Sequence, residues 1–269
     1  MKSKVLIITY YWPPSGGSGV QRWLKFSKYL RDFGWEPVIY TPDNPERPAI
    51  DSSLEKEIPH GIEVIKTPIR EPHALYKKLA GIKENKHIAS GMAASGRQKS
   101  WIKKLGMWVR GNFFIPDARM LWIRPSVQFL QSYLREKPVD AIVSTGPPHS
   151  MHMIAKGVKE VTGIPWLADF RDPWTNIDFA HELKLTPLGR ARHERMEAEV
   201  LKKADEVVAV TPTMAKELAE IRGSDVHIIT NGYDHEDFED IQVEAPETFT
   251  LLHIGTMNEA RNPEILWQC

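Results

Sequence analysis

Seven short apolar runs alternate with helical stretches along the chain. Each run is rich in Val, Ile and Leu, and a loop and then a segment with helically spaced apolar residues follow it. Strands that alternate with helices in this way form βαβ units. The pattern predicts an α/β fold with a mainly parallel, Rossmann-like sheet and helices on both faces. The predicted strands are 4–9, 36–41, 62–67, 139–144, 164–169, 206–210 and 226–230.

Proline marks the start of two predicted helices. Thr186-Pro187 and Thr211-Pro212 each place a hydroxyl that can cap a helix directly before a proline at the first helical position. After the first of these pairs, apolar residues recur near helical spacing, which predicts a helix over 187–203.

Composition and charge restrict the class of protein. The 269 residues contain 35 Lys and Arg and 35 Asp and Glu, so the net charge of the whole chain does not by itself indicate a nucleic-acid or membrane partner. The longest apolar runs are too short to span a bilayer, and the N-terminus lacks the pattern of a secretory signal. Cys269 is the single cysteine, which excludes an internal disulfide. We therefore expect a cytoplasmic protein.

Two segments interrupt the alternation and suggest the domain organisation. Residues 77–110 carry nine Lys and Arg and one Glu, a net charge of +8, and an acidic, weakly apolar stretch covers 233–247. The later "TFTLLHIGT" predicts a strand and "NPEILW" a partial helix, which together cannot enclose a core. We expect an N-terminal domain over 1–232 with a basic insertion at 77–115, a linker at 233–247, and the start of a truncated second α/β domain at 248–269.

The first strand leads into "PPSGGSG". Gly16, Gly17 and Gly19 allow backbone N–H groups to approach an anion, and the next helix would direct its positive end to the same point. The stretch matches neither the dinucleotide fingerprint nor the P-loop, since it lacks their third glycine and lysine. A phosphate cradle and a simple turn both remain open for this loop.

Two further strand-end loops carry polar chemistry. "STGPPHSMH" places His149 and His152 where a helix begins, suited to hydrogen bonding with a sugar or phosphate or to proton transfer. Their spacing also permits a metal, but no further ligands lie near them in sequence. "ADFRDPW" offers Arg171 to grip a phosphate or carboxylate and Asp172 to hold a hydroxyl. For His149 and His152 the alternative is a structural role as surface or core-edge histidines. For Arg171 and Asp172 the alternative is an internal salt bridge with Asp169 that only shapes the loop.

The end of the basic segment is a predicted amphipathic helix over 101–114. Such a helix can lie on an anionic membrane surface or form a solvated flap over the core. Because no nucleic-acid-binding module accompanies it, nucleic acid is not an expected partner. The membrane-surface candidates are Trp101, Lys103, Lys104, Trp108 and Arg110.

Taken in order, five motifs resemble the family 4 glycosyltransferases of the GT-B fold. They are "YYWPPSGGSGVQR", "ADFRDPW", "ADEVVAVTPTMAKEL", "HIITNGYDHEDF" and "LLHIGTMNEARNPEIL". The resemblance implies a retaining, metal-independent transferase without a cofactor. It moves a sugar from a nucleotide-sugar donor to a glycan or lipid-linked acceptor, as in cell-envelope or exopolysaccharide assembly. The N-terminal domain would bind the acceptor, which favours peripheral contact with the inner face of the membrane.

The resemblance also implies residue roles. Gly16 and Gly17 would lie near the donor phosphates, and Arg261 matches the second of two basic residues that hold the diphosphate. On the acceptor side the candidates are His149, Arg171 and Asp172. The chain departs from the family where Thr145 or Gly146 follows the fourth strand in place of a histidine, and where Thr256 replaces the first basic residue.

The catalytic pair of glutamates typical of the family falls in the second domain, outside this chain, so we expect the chain alone to have little activity. Two other classes stay open. One is a nicotinamide-dependent oxidoreductase, in which Asp43 after the second strand would hold a ribose, although the glycine fingerprint is incomplete. The other is a non-catalytic glycan-binding module.

Overall fold

In the computed structural model, seven strands lie side by side in one sheet with the order β3-β2-β1-β4-β5-β6-β7, and every neighbouring pair is parallel. All seven predicted strands are confirmed, with ends shifted by a few residues. The structure describes residues 2–47, 49–71, 100–177, 183–239, 247–255 and 262–268. The strands are β1 (Ser3–Ile8), β2 (Trp35–Pro42), β3 (Glu63–Thr67), β4 (Ala141–Gly146), β5 (Trp166–Phe170), β6 (Glu206–Ala209) and β7 (His227–Ile228).

Six α-helices lie between or beside these strands within the described ranges. Short 3₁₀ helices cover Leu30–Phe33 and Ser52–Glu57. None of the described helices is both long and apolar enough to cross a membrane. The α-helices are α1 (Ser18–Tyr29), α2 (Ser100–Phe113), α3 (Met120–Glu136), α4 (Ser150–Thr162), α5 (Pro187–Lys203) and α6 (Pro212–Arg222).

Alternation along β1 divides the core into two layers, as a strand's period of two requires. Leu6 and Ile8 pack in a cluster with apolar side chains of α3 to α6, while Val5 and Ile7 pack with Val20, Trp23 and Leu24 of α1. Helices therefore cover both faces of the sheet, and the predicted Rossmann-like architecture is confirmed.

The two predicted proline starts are also confirmed. Thr186 accepts a hydrogen bond at Oγ1 from the Gly189 amide, and Thr211 accepts one from the Met214 amide, so both hydroxyls cap as expected. Asn112 at the end of α2 supports the first of these starts, because its Oδ1 accepts from both the amide and the hydroxyl of Thr186, each at 2.7 Å.

The chain divides into two compact units, Met1–Gly232 and Tyr233–Cys269. In the second unit the prediction of a strand in "TFTLLHIGT" is wrong, because the described residues 247–255 contain no strand. Phe249, Leu252 and Ile254 are exposed there. Apolar residues with strand propensity need a neighbouring strand to complete their hydrogen bonds, and no described residue supplies one. The 3₁₀ helix Glu264–Gln268 lies where the partial helix was expected.

Candidate functional site

The strand order reverses direction at β1, which pairs with β2 on one side and β4 on the other. In open α/β sheets the ligand crevice lies beyond the carboxyl ends of the strands at such a switch point. The loop after β1 contains the glycine cluster, and the loop after β4 contains His149. The loop after β5 contains Arg171 and Asp172, so the topology brings the predicted site loops to one edge of the sheet.

Gly17 supplies the backbone conformation that ends the glycine loop and begins α1. Its φ of 97° and ψ of 171° lie in a region that only glycine adopts easily. As the N-cap of α1 it has no side-chain hydrogen bond, and the first turn contains no acidic residue. The described contacts give no partner to the backbone N–H groups of Gly17, Ser18 or Gly19. These donors and the positive helix end can bind an anion.

Gly16 of the same loop makes a backbone contact within the domain. Its N–H donates to the carbonyl of Ala49 at 2.9 Å, beside a bridge between Ser15 and Ile50. A Cβ at Gly16 would lie 3.1 Å from the Cβ of Asp51. Gly16 therefore allows the loop to pack closely on residues 49–51, and its amide is not available to a ligand.

Arg171 connects all three strand-end loops. Its Nε donates to Thr145 Oγ1 at 3.0 Å, its Nη1 to the Gly19 carbonyl at 3.3 Å, and its Nη2 to the Pro147 carbonyl. A Cβ at Gly19 would lie 3.1 Å from Nη1 and 2.9 Å from the ring of Tyr11. The third glycine of the loop thus makes room for the guanidinium. Burial lowers the pKa of Arg171, while the nearby carboxylates of Asp169 and Asp172 oppose this effect.

Beneath Arg171 lies a buried ion pair between Arg22 and Asp169. Their side chains are 3% and 1% exposed, and Arg22 Nη2 donates to Asp169 Oδ1 at 2.9 Å. Asp169 Oδ2 also accepts from Trp23 Nε1 at 2.7 Å and from Thr145 Oγ1 at 2.9 Å. The internal salt bridge considered for this loop is therefore present, but the cation is Arg22 of α1 and not Arg171.

His149 lies at the start of α4, as expected, but it is buried to 7% exposure. Its ring stacks on Trp174 with centroids 4.6 Å apart and planes 3° apart. Burial, together with the charges of His152 and Arg171, lowers the pKa of His149 well below 6.5. His149 can therefore act as a neutral hydrogen-bonding group, but it is a poor cation near neutral pH.

His152 is completely buried one turn further along α4. Its Nδ1 lies 2.8 Å from Ser144 Oγ, which also accepts a hydrogen bond from Trp166 Nε1. Burial lowers the pKa of His152 to about 3, so the ring is neutral in the folded protein. Among the described residues, no group of three or more His, Cys, Asp or Glu side chains is arranged to hold a metal ion.

The other predicted site residues fall in several places. Asp172 is exposed beside Arg171 at the sheet edge, whereas Arg261 lies outside the described residues. On α2, Trp108 is half-buried and Arg110 is exposed. The backbone of Trp101, Lys103 and Lys104 is helical, and their side chains, with residues 77–99 of the basic insertion, lie outside the description.

Arg22 is the residue of this network that sequence reasoning missed. All five of its N–H groups are engaged, with further bonds to the carbonyls of Ile229 and Thr230 and to Asn231 Oδ1. The sequence held one signal for this ion pair: an arginine lies next to the core-facing Trp23, and an aspartate lies near the end of a buried strand. The last residue that Arg22 contacts is Asn231, one residue before the end of the first unit at Gly232.

Comparison with known proteins agrees with this geometry. The family model described as "Glycosyl transferase 4-like domain" matches residues 16–232. A search of curated protein sequences finds no significant match. Among solved structures, a sucrose-phosphate synthase from Thermosynechococcus elongatus has a TM-score of 0.51 at 11% identity over 87% of this chain and 49% of that one. That likeness supports the fold.

Two further solved structures are similar. A glycosyltransferase from Rickettsia africae has a TM-score of 0.48 at 14% identity, over 90% of this chain and 46% of that one. The lipopolysaccharide outer core galactosyltransferase WaaB has a TM-score of 0.44 at 13% identity, over 91% and 49%. This chain thus spans about half the length of each of these three structures. Because the family model covers residues 16–232, the chain belongs to the glycosyl transferase 4-like domain family.

Proposed function

We propose that this chain is the acceptor-binding part of a retaining, metal-independent glycosyltransferase. The enzyme transfers a sugar from a nucleotide-sugar donor to a glycan or lipid-linked acceptor in cell-envelope or exopolysaccharide assembly. Family membership supports glycosyl transfer, and the retaining course and the acceptor class follow from the sequence resemblance. The nicotinamide-dependent alternative is not favoured, because the family match covers residues 16–232, which contain six of the seven strands.

The convergence at Arg171 carries this proposal. The guanidinium lies against Gly19, at the same helix start where the N–H groups of Gly17 to Gly19 have no described partner. A donor diphosphate becomes more negative as its bond to the sugar breaks. Preorganised cations and helix ends that face developing charge stabilise it more in the transition state than in the ground state. This edge of the sheet is suited to that task.

On the acceptor side, we assign His149 and Asp172 to hydroxyl groups of the acceptor. A neutral imidazole, held in place by stacking on Trp174, can donate to or accept from a sugar hydroxyl. The Asp172 carboxylate is exposed and can accept a hydroxyl proton in a hydrogen bond. Both assignments predict a rise in the KM for the acceptor when the side chain is truncated.

We test the transfer activity in the cells that make this protein. Membrane lipid and polysaccharide would be extracted after feeding radiolabelled UDP-glucose, UDP-galactose or GDP-mannose to permeabilised cells. Arg171→Gln removes the guanidinium that faces the developing charge. This variant should transfer about 10²–10³-fold less radiolabelled sugar than wild type. Arg135→Gln on the exposed end of α3 is the control and should transfer as wild type. Equal transfer by all three proteins would refute the proposed site.

The retaining course and the independence from metal have their own tests. NMR of the purified product would show the same anomeric configuration as the nucleotide sugar, and transfer would persist in excess EDTA. An inverted product would exclude the retaining course. Loss of transfer in EDTA that added Mg²⁺ restores would exclude metal independence.

We further propose that the acceptor cleft faces an anionic membrane surface. Phe113 at the end of α2 is 61% exposed and Leu188 at the start of α5 is 79% exposed. These helix ends are joined by the bonds of Asn112 to Thr186, and the exposed cations Arg110, Lys184, Arg190 and Arg192 lie on the same two segments. Apolar side chains with surrounding cations suit an anionic lipid interface.

Vesicle binding tests this orientation. The double variant Phe113→Ser/Leu188→Ser should bind vesicles of phosphatidylglycerol and phosphatidylcholine several-fold more weakly than wild type. Phe33→Ser is the matched control, because Phe33 is 79% exposed but precedes β2 at the opposite edge of the sheet. Equal, weak binding of wild type to vesicles with and without phosphatidylglycerol would reject membrane contact.

A further inference from the structure

Thr145 lies between the buried ion pair and the predicted anion site. Its Oγ1 donates to Asp169 Oδ2 at 2.9 Å and accepts from Arg171 Nε at 3.0 Å. We propose that Thr145 is a positioning residue, which fixes the Arg171 guanidinium at the glycine loop. The inference rests on the proposed function, in which Arg171 contacts the anionic group, and it adds the residue that holds Arg171 there.

The direction of the two hydrogen bonds follows from the chemistry of the three side chains. The guanidinium of Arg171 has donors only, so Thr145 must use a lone pair towards it. The hydroxyl has a single proton, and the Asp169 carboxylate, already paired with Arg22, accepts it. Asp169 thereby fixes the rotation of the hydroxyl, and a lone pair of Thr145 is directed at Arg171 Nε.

Asp169 is itself held on several sides. Arg22 donates to it through Nε and Nη2, and Trp23 donates through Nε1. The remaining donors of Arg22 are used by the segment 229–231. Because Arg22, Trp23 and Asp169 are buried, the carboxylate cannot turn without leaving several buried donors unpaired, which is costly. The buried carboxylate therefore fixes Thr145, and Thr145 in turn fixes the Arg171 guanidinium at the surface of the cleft.

Arg171 keeps donors for a ligand after these contacts. One N–H on Nη1 is used by the Gly19 carbonyl and one on Nη2 by the Pro147 carbonyl. Since each of these nitrogens has two protons, one N–H on each remains beyond the contacts described. Planar donors of this kind suit a phosphate oxygen pair, provided that the guanidinium cannot rotate.

The test compares Thr145→Val with Thr145→Ser. Valine keeps the shape without the hydroxyl, and serine keeps the hydroxyl. Inorganic pyrophosphate is the probe, and its affinity is measured by calorimetry. We expect Thr145→Val to weaken binding about tenfold, as for loss of a hydrogen bond to a charged group, and Thr145→Ser to bind as wild type. In ¹⁵N spectra the Arg171 Nε–H signal should broaden or shift in the valine variant and remain in the serine variant.

A second variant keeps the inference testable should Thr145→Val fail to fold. Thr145→Ala also removes the hydroxyl but places no methyl group at the buried Oγ1 position, so it should weaken pyrophosphate binding about tenfold, as Thr145→Val does. If Arg171→Gln weakens pyrophosphate binding but Thr145→Val does not, the positioning role is wrong and the proposed function stands. If Arg171→Gln binds as wild type, the proposed anion site itself fails.

Discussion

Asp169→Asn provides a strong test of the buried network. The two side chains have the same size, but the amide replaces one acceptor oxygen by an NH₂ group. In either orientation this NH₂ faces a donor, because Oδ1 accepts from Arg22 and Oδ2 accepts from Arg22, Trp23 and Thr145. The substitution also leaves the charge of Arg22 without its buried partner.

The size of the effect follows from the burial of the pair. Removing one partner of a buried ion pair costs about 3–5 kcal/mol, and both side chains here are at most 3% exposed. For a domain of this size, each kcal/mol lowers Tm by about 2–4 °C. We therefore expect Asp169→Asn to lower Tm by about 6–20 °C. The loss of about 3–5 kcal/mol is a large part of a typical free energy of unfolding of about 5–15 kcal/mol.

The assays are urea unfolding, which gives the free energy of unfolding, and thermal unfolding, which gives Tm, both followed by circular dichroism at 222 nm. Asp172→Asn is the matched control, since it is the same substitution on an exposed side chain in the loop that follows β5. It should change the free energy of unfolding by less than about 0.5 kcal/mol. The loss in Asp169→Asn should be similar at low and high salt, because a buried pair is poorly screened. A loss below about 1 kcal/mol would refute the network.

Three other predictions test separate parts of the structure. Gly17→Ala and Gly34→Ala both force a side chain onto a positive φ and should each cost about 1–3 kcal/mol, but only Gly17→Ala should reduce sugar transfer; equal transfer by both would remove Gly17 from the site. Burial holds the pKa of His152 at about 3 in the folded protein, against 6.5 ordinarily, so between these values only the unfolded state binds the proton and stability falls as the pH drops. His152→Gln should reduce the slope of this fall by about 1.4 kcal/mol per pH unit between pH 4 and 6, and an unchanged slope would contradict the burial of His152. Asn112→Ala leaves the Thr186 amide unpaired and should lower the free energy of unfolding by about 1–3 kcal/mol, whereas a neutral result would show that this contact does not support α5.

Local patterns predicted the sheet well because strand period and helix capping depend on neighbouring residues. The helix at 187–203 was placed to the residue, since Thr186 and Pro187 mark its start. The prediction placed β4 two residues early. The apolar run begins before Ala141, the first residue that pairs with β1, and the strand extends to Gly146, which pairs with Phe170. Strand ends are set by partners, which a single segment does not reveal.

The candidate site was predicted in outline for a related reason. Parallel strands end at one edge, so Gly17, His149 and Arg171 were expected to lie near one another. The identity of the cation that binds Asp169 was not predictable, since Arg22 is 147 residues away in sequence and lies on a helix whose pattern indicates only a core-facing side. The burial of His149 also depends on Trp174, which reaches it from another loop.

Titration of the ¹⁵N-labelled chain with UDP-glucose tests the central claim, that the edge of the sheet at the carboxyl ends of β1, β4 and β5 is where the donor phosphates meet this domain. The account predicts shifts of the Gly17, Ser18 and Gly19 amides together with Arg171 Nε–H. The glycines that precede strands at the opposite edge should stay unchanged and serve as internal controls. Shifts at these control glycines, or unmoved Gly17 to Gly19 signals at saturating nucleotide sugar, would contradict it. The control glycines are Gly34, Gly61, Gly163 and Gly223.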